Sequence, residues 1–323
     1  MAKQSLSQRP RLFIRLALTV TVLTIALVVF GAVVRVTDSG LGCNRDWPLC
    51  GGTVFPPLDN LTAWIEWLHR LFAILIGLLG VGMLVAAVRA FRQRNRAVLY
   101  GTVIAAVLFL FQAFLGALVV KLDLPPTMVT IHLGTAMLLL AALLFTYIGA
   151  VYHPAMSYGR DHVSWLMFAT TGVSLLIILT GALVRGGGAT LACMDWPLCN
   201  GEAFPFEQGP LQVVHMTHRY AVVALGVLLA LLLWYIIRSG RPSLMRKLIV
   251  AALVCYGLQA VVGALFVLAA AAPLWGTLHV GLAALTWAAL VLILIVEAVN
   301  TGWLKFDNRE AEWHPLSGSK LPS

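Results

Sequence analysis

The chain has 323 residues, of which 60% are hydrophobic and only 11% charged, and its mean hydropathy is +0.91. Soluble domains run near half apolar and a quarter charged, so this composition excludes a soluble globule, a disordered chain and a collagen-like one. In a soluble protein the net charge of +9 would suggest nucleic-acid binding. In a membrane protein it reflects basic residues gathered in cytoplasmic loops, and no nucleic-acid partner is expected.

A hydrocarbon core needs about 20 apolar residues per helix. Eight runs qualify, at 12–35, 62–88, 97–120, 128–150, 163–186, 211–237, 246–269 and 276–300. The predicted fold is an all-α polytopic membrane protein with eight transmembrane helices. The segment Met1 to Arg11 is too short for a signal or transit peptide and lacks a cleavage pattern, so the first span is expected to be retained. Sixteen of the 22 Lys and Arg lie on one side, among them Lys3, Arg9, Arg89, Arg160, Arg241, Arg309 and Lys320. That asymmetry puts both termini in the cytoplasm.

In chain order, the first span ends in Gly31-Ala32-Val33-Val34-Arg35, and the outer loop after it carries Cys43 and Asp46-Trp47-Pro48-Leu49-Cys50. The second span holds Glu66 and His69-Arg70 near its outer end with Gly77 and Gly80 deeper, the third Gln112 and Gly116, the fourth His132 and Gly134. The fifth closes on Gly181-Ala182-Leu183-Val184-Arg185, repeating the first at an offset of 150. Cys193 and Asp195-Trp196-Pro197-Leu198-Cys199 follow, the latter repeating the first outer loop at 149. His218-Arg219 in the sixth span repeats His69-Arg70 at 149, and Gln259, Gly263 and His279 in the last two spans repeat Gln112, Gly116 and His132 at 147.

This is the pattern of a duplicated unit. Residues 1–155 and 156–304 read as two pseudosymmetric four-helix bundles, and 305–323 as a flexible cytoplasmic tail. An even number of spans per unit points both copies the same way, about a pseudo-twofold axis along the membrane normal.

His69, His132, His218 and His279 each fall five to eight residues inside the outer boundary, a depth of roughly 10 Å. One intramembrane histidine is as readily a hydrogen-bonding packing residue as a ligand. Four at one depth, two per repeat on alternate helices, point to ligation, because polar groups in the bilayer are costly. Facing helices of a bundle build cofactor sites, and one His from each of two helices supplies both axial nitrogens of a haem iron, so two repeats imply two haems. Zinc would need further ligands in each cluster, for which only Glu66 and His215 are candidates. Gly77, Gly80, Gly116, Gly134 and Gly263 can let a flat macrocycle approach the backbone, or serve ordinary helix packing.

Glu66 lies three residues before His69, on the same helical face, and the repeat puts His215 at the matching place before His218. A carboxylate beside one site alone makes the first half the candidate for chemistry, with Glu66 stabilising positive charge or moving a proton. The alternative is a structural carboxylate paired with Arg70 or Arg219. Arg35, Arg70, Arg185 and Arg219 either snorkel to headgroups or grip haem propionates through their planar forks. Cys43 with Cys50, and Cys193 with Cys199, are close pairs on the outer face where disulfides persist. Each bridge either pins its loop or acts in redox chemistry, and Cys255 reads as a packing residue.

Together these residues resemble the haem A synthases. The resemblance covers nearly the whole chain, through Ser39-Gly40-Leu41, both Asp-Trp-Pro-Leu-Cys loops, Glu66 with His69-Arg70, His132-Leu133-Gly134, His218-Arg219 and His279. No single element is specific; the combination is. The resemblance implies His69 and His132 as ligands of the substrate haem O, His218 and His279 as ligands of a haem b, Glu66 as the catalytic carboxylate, and a prokaryotic type with both cysteine pairs. It implies oxidation of a ring methyl of haem O to a formyl group, giving haem A for terminal oxidases, by two hydroxylations and loss of water. The protein would then be a multi-pass oxidoreductase of the bacterial plasma membrane. Its candidate partners are haem O, lipid, the haem O synthase, oxidase assembly factors and a second copy of itself. Other readings are a di-haem cytochrome b that oxidises quinol, a membrane thiol-disulfide oxidoreductase, and a transporter; none of them explains Glu66, the histidines and the cysteines at once.

Overall fold

The computed structural model describes residues 2–154 and 156–306, with side chains from Pro10 onward. The placement expected for Lys3 and Arg9, and most of the expected tail, lies outside that description. Among the described residues there are eight long helices: α1 (Ala2–Val36), α2 (Leu61–Phe91), α3 (Arg96–Lys121), α4 (Pro126–Val151), α5 (His162–Gly186), α6 (Pro210–Arg238), α7 (Ser243–Leu268) and α8 (Pro273–Asn300). All eight are long and apolar enough to cross a membrane. Helices satisfy every backbone polar group internally, as hydrocarbon demands, and no strand forms among the described residues.

The helix starts follow from local chemistry. Proline occupies the first turn of α4, α6 and α8, where its missing N–H costs nothing and its φ is already helical. Asn60 and Asn95 cap α2 and α3 with their side chains, and Asp161 closes a capping box with Ser164 on α5.

Within the first half, α1 packs on α2, α2 on α3, α3 on α4, and α4 back on α1; α5 to α8 keep the same order of neighbours. The histidine helices are therefore diagonal in each ring of four: α2 opposite α4, and α6 opposite α8. One apolar cluster fills the first ring around Phe13, Met83 and Leu143, and another fills the second around Met167, Leu229 and Ile249. A third joins the rings where α4 meets α8, through Met137, Leu140, Trp287 and Val291, and the Trp287 indole donates to the Met137 carbonyl at 2.9 Å.

A buried ionic corner ties the α6–α7 turn to α5 and α8. Arg241 donates to Asp161 Oδ1 at 2.7 Å and to Glu297 Oε1 at 2.8 Å. Ser164 and the Tyr158 hydroxyl donate to the same Glu297 carboxylate at 2.5 and 2.8 Å. Every charge in this corner has a partner, the condition under which burying charge is tolerable.

Candidate functional site

Each of the four histidines sits six to eight residues into a helix whose start is set by Asn60 or by a proline. All four rings are half-buried, and each lays its Cε1 edge against a glycine of the preceding helix. A Cβ on Gly31 would stand 3.2 Å from Cε1 of His69, and on Gly116 3.3 Å from that of His132. The distances are 3.0 Å from Gly181 to His218 and 2.9 Å from Gly263 to His279. Gly116 and Gly263, read from sequence as admitting a macrocycle or serving helix packing, seat the ring edges. Gly77 is taken up by Phe109 and Gly134 by Leu179, while nothing within 4 Å would meet a Cβ on Gly80. His132 lies within electrostatic reach of His69, and His218 of His279, each pair across the diagonal of its ring of four helices.

The halves differ in how the rings are held. His218 Nδ1 is 3.1 Å from the Thr180 hydroxyl, and His279 Nδ1 is 3.0 Å from the Gln259 carbonyl. In the first half, His69 Nδ1 and His132 Nδ1 are buried without a hydrogen-bond partner among the described residues. Four half-buried imidazoles in diagonal pairs fit bis-histidine haem ligation in each half. Among the described residues no three His, Cys, Asp or Glu side chains gather to hold a metal ion, which disfavours the zinc alternative.

Glu66 is engaged on both oxygens: the Cys43 N–H donates to Oε2 at 2.8 Å, and Arg70 pairs with Oε1. The outer loop reaches it because Gly42 presses on α2, where a Cβ would stand 2.4 Å from the Thr62 backbone. His215, which spacing alone left without a role, makes the matching tie: its Nδ1 donates to the Ala189 carbonyl at 2.9 Å. Both residues anchor an outer loop to the helix that carries a histidine one turn on.

The arginines divide into two kinds. Arg70 donates to the Asp46 and Leu49 carbonyls at 2.9 Å, and Arg219 to those of Asp195, Pro197 and Leu198 at 2.5–3.2 Å. Each clamps its Asp-Trp-Pro-Leu-Cys loop over the bundle, a use the sequence did not reveal. Arg35 and Arg185 meet across the two halves, where Arg185 donates to the Arg35 carbonyl at 3.3 Å and to Asp38 at 3.2 Å. Both keep a buried Nε with no partner. The disulfides Cys43–Cys50 and Cys193–Cys199 close in the loops, and Cys255 is free. Outside the spans, hydrogen bonds from Arg241 hold the Asp161 carboxyl down at about 2.

The sequence matches the COX15-CtaA family, described as cytochrome oxidase assembly protein, over residues 14–291. The chain belongs to that family. It is 35% identical over 283 residues to a protein of Symbiobacterium thermophilum named Heme A synthase, covering 84% of this chain and 90% of that one. A protein of Exiguobacterium sp. with the same name is 31% identical over 265 residues, 80% of this chain and 85% of the relative. A third so named, from Halalkalibacterium halodurans, is 33% identical over 216 residues, 65% and 71% of the two chains. As a member of this family the chain is a multi-pass membrane oxidoreductase.

Proposed function

We propose that this protein is a haem A synthase that oxidises a ring methyl of haem O to a formyl group, through two hydroxylations and loss of water, with an external oxidant taking up the four electrons. The observation that carries the reading is the pair of diagonal histidine sites, each ring seated on a glycine, in a chain of this family. The first half, 1–155, binds haem O between His69 and His132; the second, 156–304, holds a haem b between His218 and His279. The second-half haem, when bound, supplies electron transfer, and the protein supplies position and electrostatics.

Glu66 is one turn from His69, and its two ties fix a negative charge there that can stabilise positive charge developing on the substrate or take up a proton. Arg35 and Arg185 offer unspent Nε donors to propionates. Arg70 and Arg219 meet a propionate only through donors not already used on their loops. Both disulfides pin those loops on the outer face, and both termini lie in the cytoplasm of a bacterial cell membrane. Apolar helix faces give a prenylated macrocycle a route in from the lipid.

The test is the pigment extracted from purified protein. Haem B together with haem O or A supports the synthase. Haem B alone supports the quinol-oxidising carrier, and no haem at all removes both.

A further inference from the structure

The two halves repeat their histidines and their glycine seats but not their Nδ1 hydrogen bonds. We propose that Thr180 and the Gln259 carbonyl are positioning groups that fix His218 and His279 as permanent iron ligands, and that the lack of such partners makes His69 and His132 exchangeable ligands. This inference rests on the proposed function, in which the second half keeps its haem and the first must release one at each turnover.

Thr180 Oγ1 lies 2.9 Å from the Ile177 carbonyl, to which it donates. Its single hydrogen is spent there, so at 3.1 Å it accepts from His218 Nδ1–H. The Gln259 carbonyl has only lone pairs to offer and accepts from His279 Nδ1–H at 3.0 Å. Both rings are thereby held as the tautomer whose Nε2 lone pair is free for iron. A second partner of this kind also fixes ring orientation and raises ligand basicity.

In the first half neither ring nitrogen has such a partner among the described residues, and at His69 the repeat shows why. Position 180 corresponds to Phe30, one residue before the glycine that seats the ring. A phenyl group has no acceptor, and here it packs against His69 with ring centroids 5.9 Å apart. Position 259 corresponds to Gln112, which offers the same backbone carbonyl, but the His132 ring makes no bond to it; the Gln112 side-chain amide donates to the His132 carbonyl at 2.9 Å. The Thr135 hydroxyl donates its one hydrogen to Gln112 Oε1 at 2.5 Å, which holds that amide in place. These bonds act on the backbone of α4, and His132 Nδ1 has no partner among the described residues. The ligands are repeated in both halves while the Nδ1 bonds that strengthen them form in the second half alone, and a resident cofactor and a departing product need opposite ligand strengths.

The experiment compares Thr180→Val, which removes the acceptor at nearly constant volume, with Thr180→Ser, which keeps it. Purified protein carrying haem B is titrated optically for its midpoint potential and mixed with excess apomyoglobin to time haem release. Thr180→Val should raise the potential, because a weaker donor favours ferric iron less, and should speed release roughly 10-fold to 100-fold. Thr180→Ser should restore both. Conversely Phe30→Thr, which gives His69 an acceptor, should slow release of haem O from the first half, whereas Phe30→Leu should not. Wild-type potential and release in Thr180→Val, failure of Thr180→Ser to restore them, or unchanged release in Phe30→Thr would overturn the inference while leaving the proposed function standing. A wild-type protein without haem B would overturn both.

Discussion

Replacing Gly263 by alanine tests whether the glycines exist to seat the rings. The added Cβ would stand 2.9 Å from Cε1 and 3.1 Å from Nδ1 of His279. Carbon contacts settle at about 3.5 Å or more, so the ring must retreat by about 0.6 Å. It cannot retreat freely, because Nδ1 is bonded to the Gln259 carbonyl at 3.0 Å. Overpacking of this kind costs about 1–3 kcal/mol, or roughly 5-fold to 150-fold in haem affinity if all of it is spent against the bound state. At Gly116 the Cβ would stand 3.3 Å from Cε1 of His132, and that ring has no Nδ1 bond to break. Gly116→Ala should therefore weaken first-half binding several-fold less than Gly263→Ala weakens second-half binding. Haem content per chain and the low-spin optical spectrum of purified variants measure both. Full haem B occupancy with an unchanged spectrum in Gly263→Ala would refute the reasoning.

Glu66→Gln keeps size but not charge. It should abolish or arrest haem A formation while second-half haem stays bound with an unaltered spectrum, and His215→Gln should cost less; normal haem A from Glu66→Gln would reduce Glu66 to a loop tie. In the ionic corner, Glu297→Gln leaves Arg241 partly uncompensated and should cost about 3–5 kcal/mol, read as a lower midpoint in thermal unfolding in detergent; an unchanged midpoint would contradict the pairing. Asp161 is held at about 2 against its ordinary 3.8, so its contribution is present above 3.8 and lost as pH falls through about 2; Asp161→Asn should flatten that acid limb, and an identical pH profile would count against it. Thiol labelling of unfolded protein kept from reductant should modify Cys255 alone, and label on Cys43, Cys50, Cys193 or Cys199 would count against the loop bridges.

All eight apolar runs became helices, because in hydrocarbon an apolar run of about 20 residues has few other stable forms. Their ends differ for local reasons. The runs at 128–150 and 276–300 begin later than α4 and α8, since Pro126 and Pro273 start the helix before hydropathy rises. The histidines were legible as a repeated layer, but their seats were not: Gly31 and Gly181 registered only as repeat markers, and contact between helices is invisible in a one-dimensional pattern. In sequence Arg241 reads only as one of the cytoplasmic basic residues, because its partners Asp161 and Glu297 stand 80 and 56 positions away. Thr180 was readable in principle. Aligning the repeats sets it against Phe30, and a break in an otherwise matched segment is the available signal.

The central claim is conversion of haem O to haem A by this chain. Expression in a host that makes haem O but no haem A, followed by extraction and chromatography of membrane haems, tests it directly. The account predicts a new formyl-bearing haem that depends on His69, His132 and Glu66, and a haem profile that stays at haem O and haem B would contradict it.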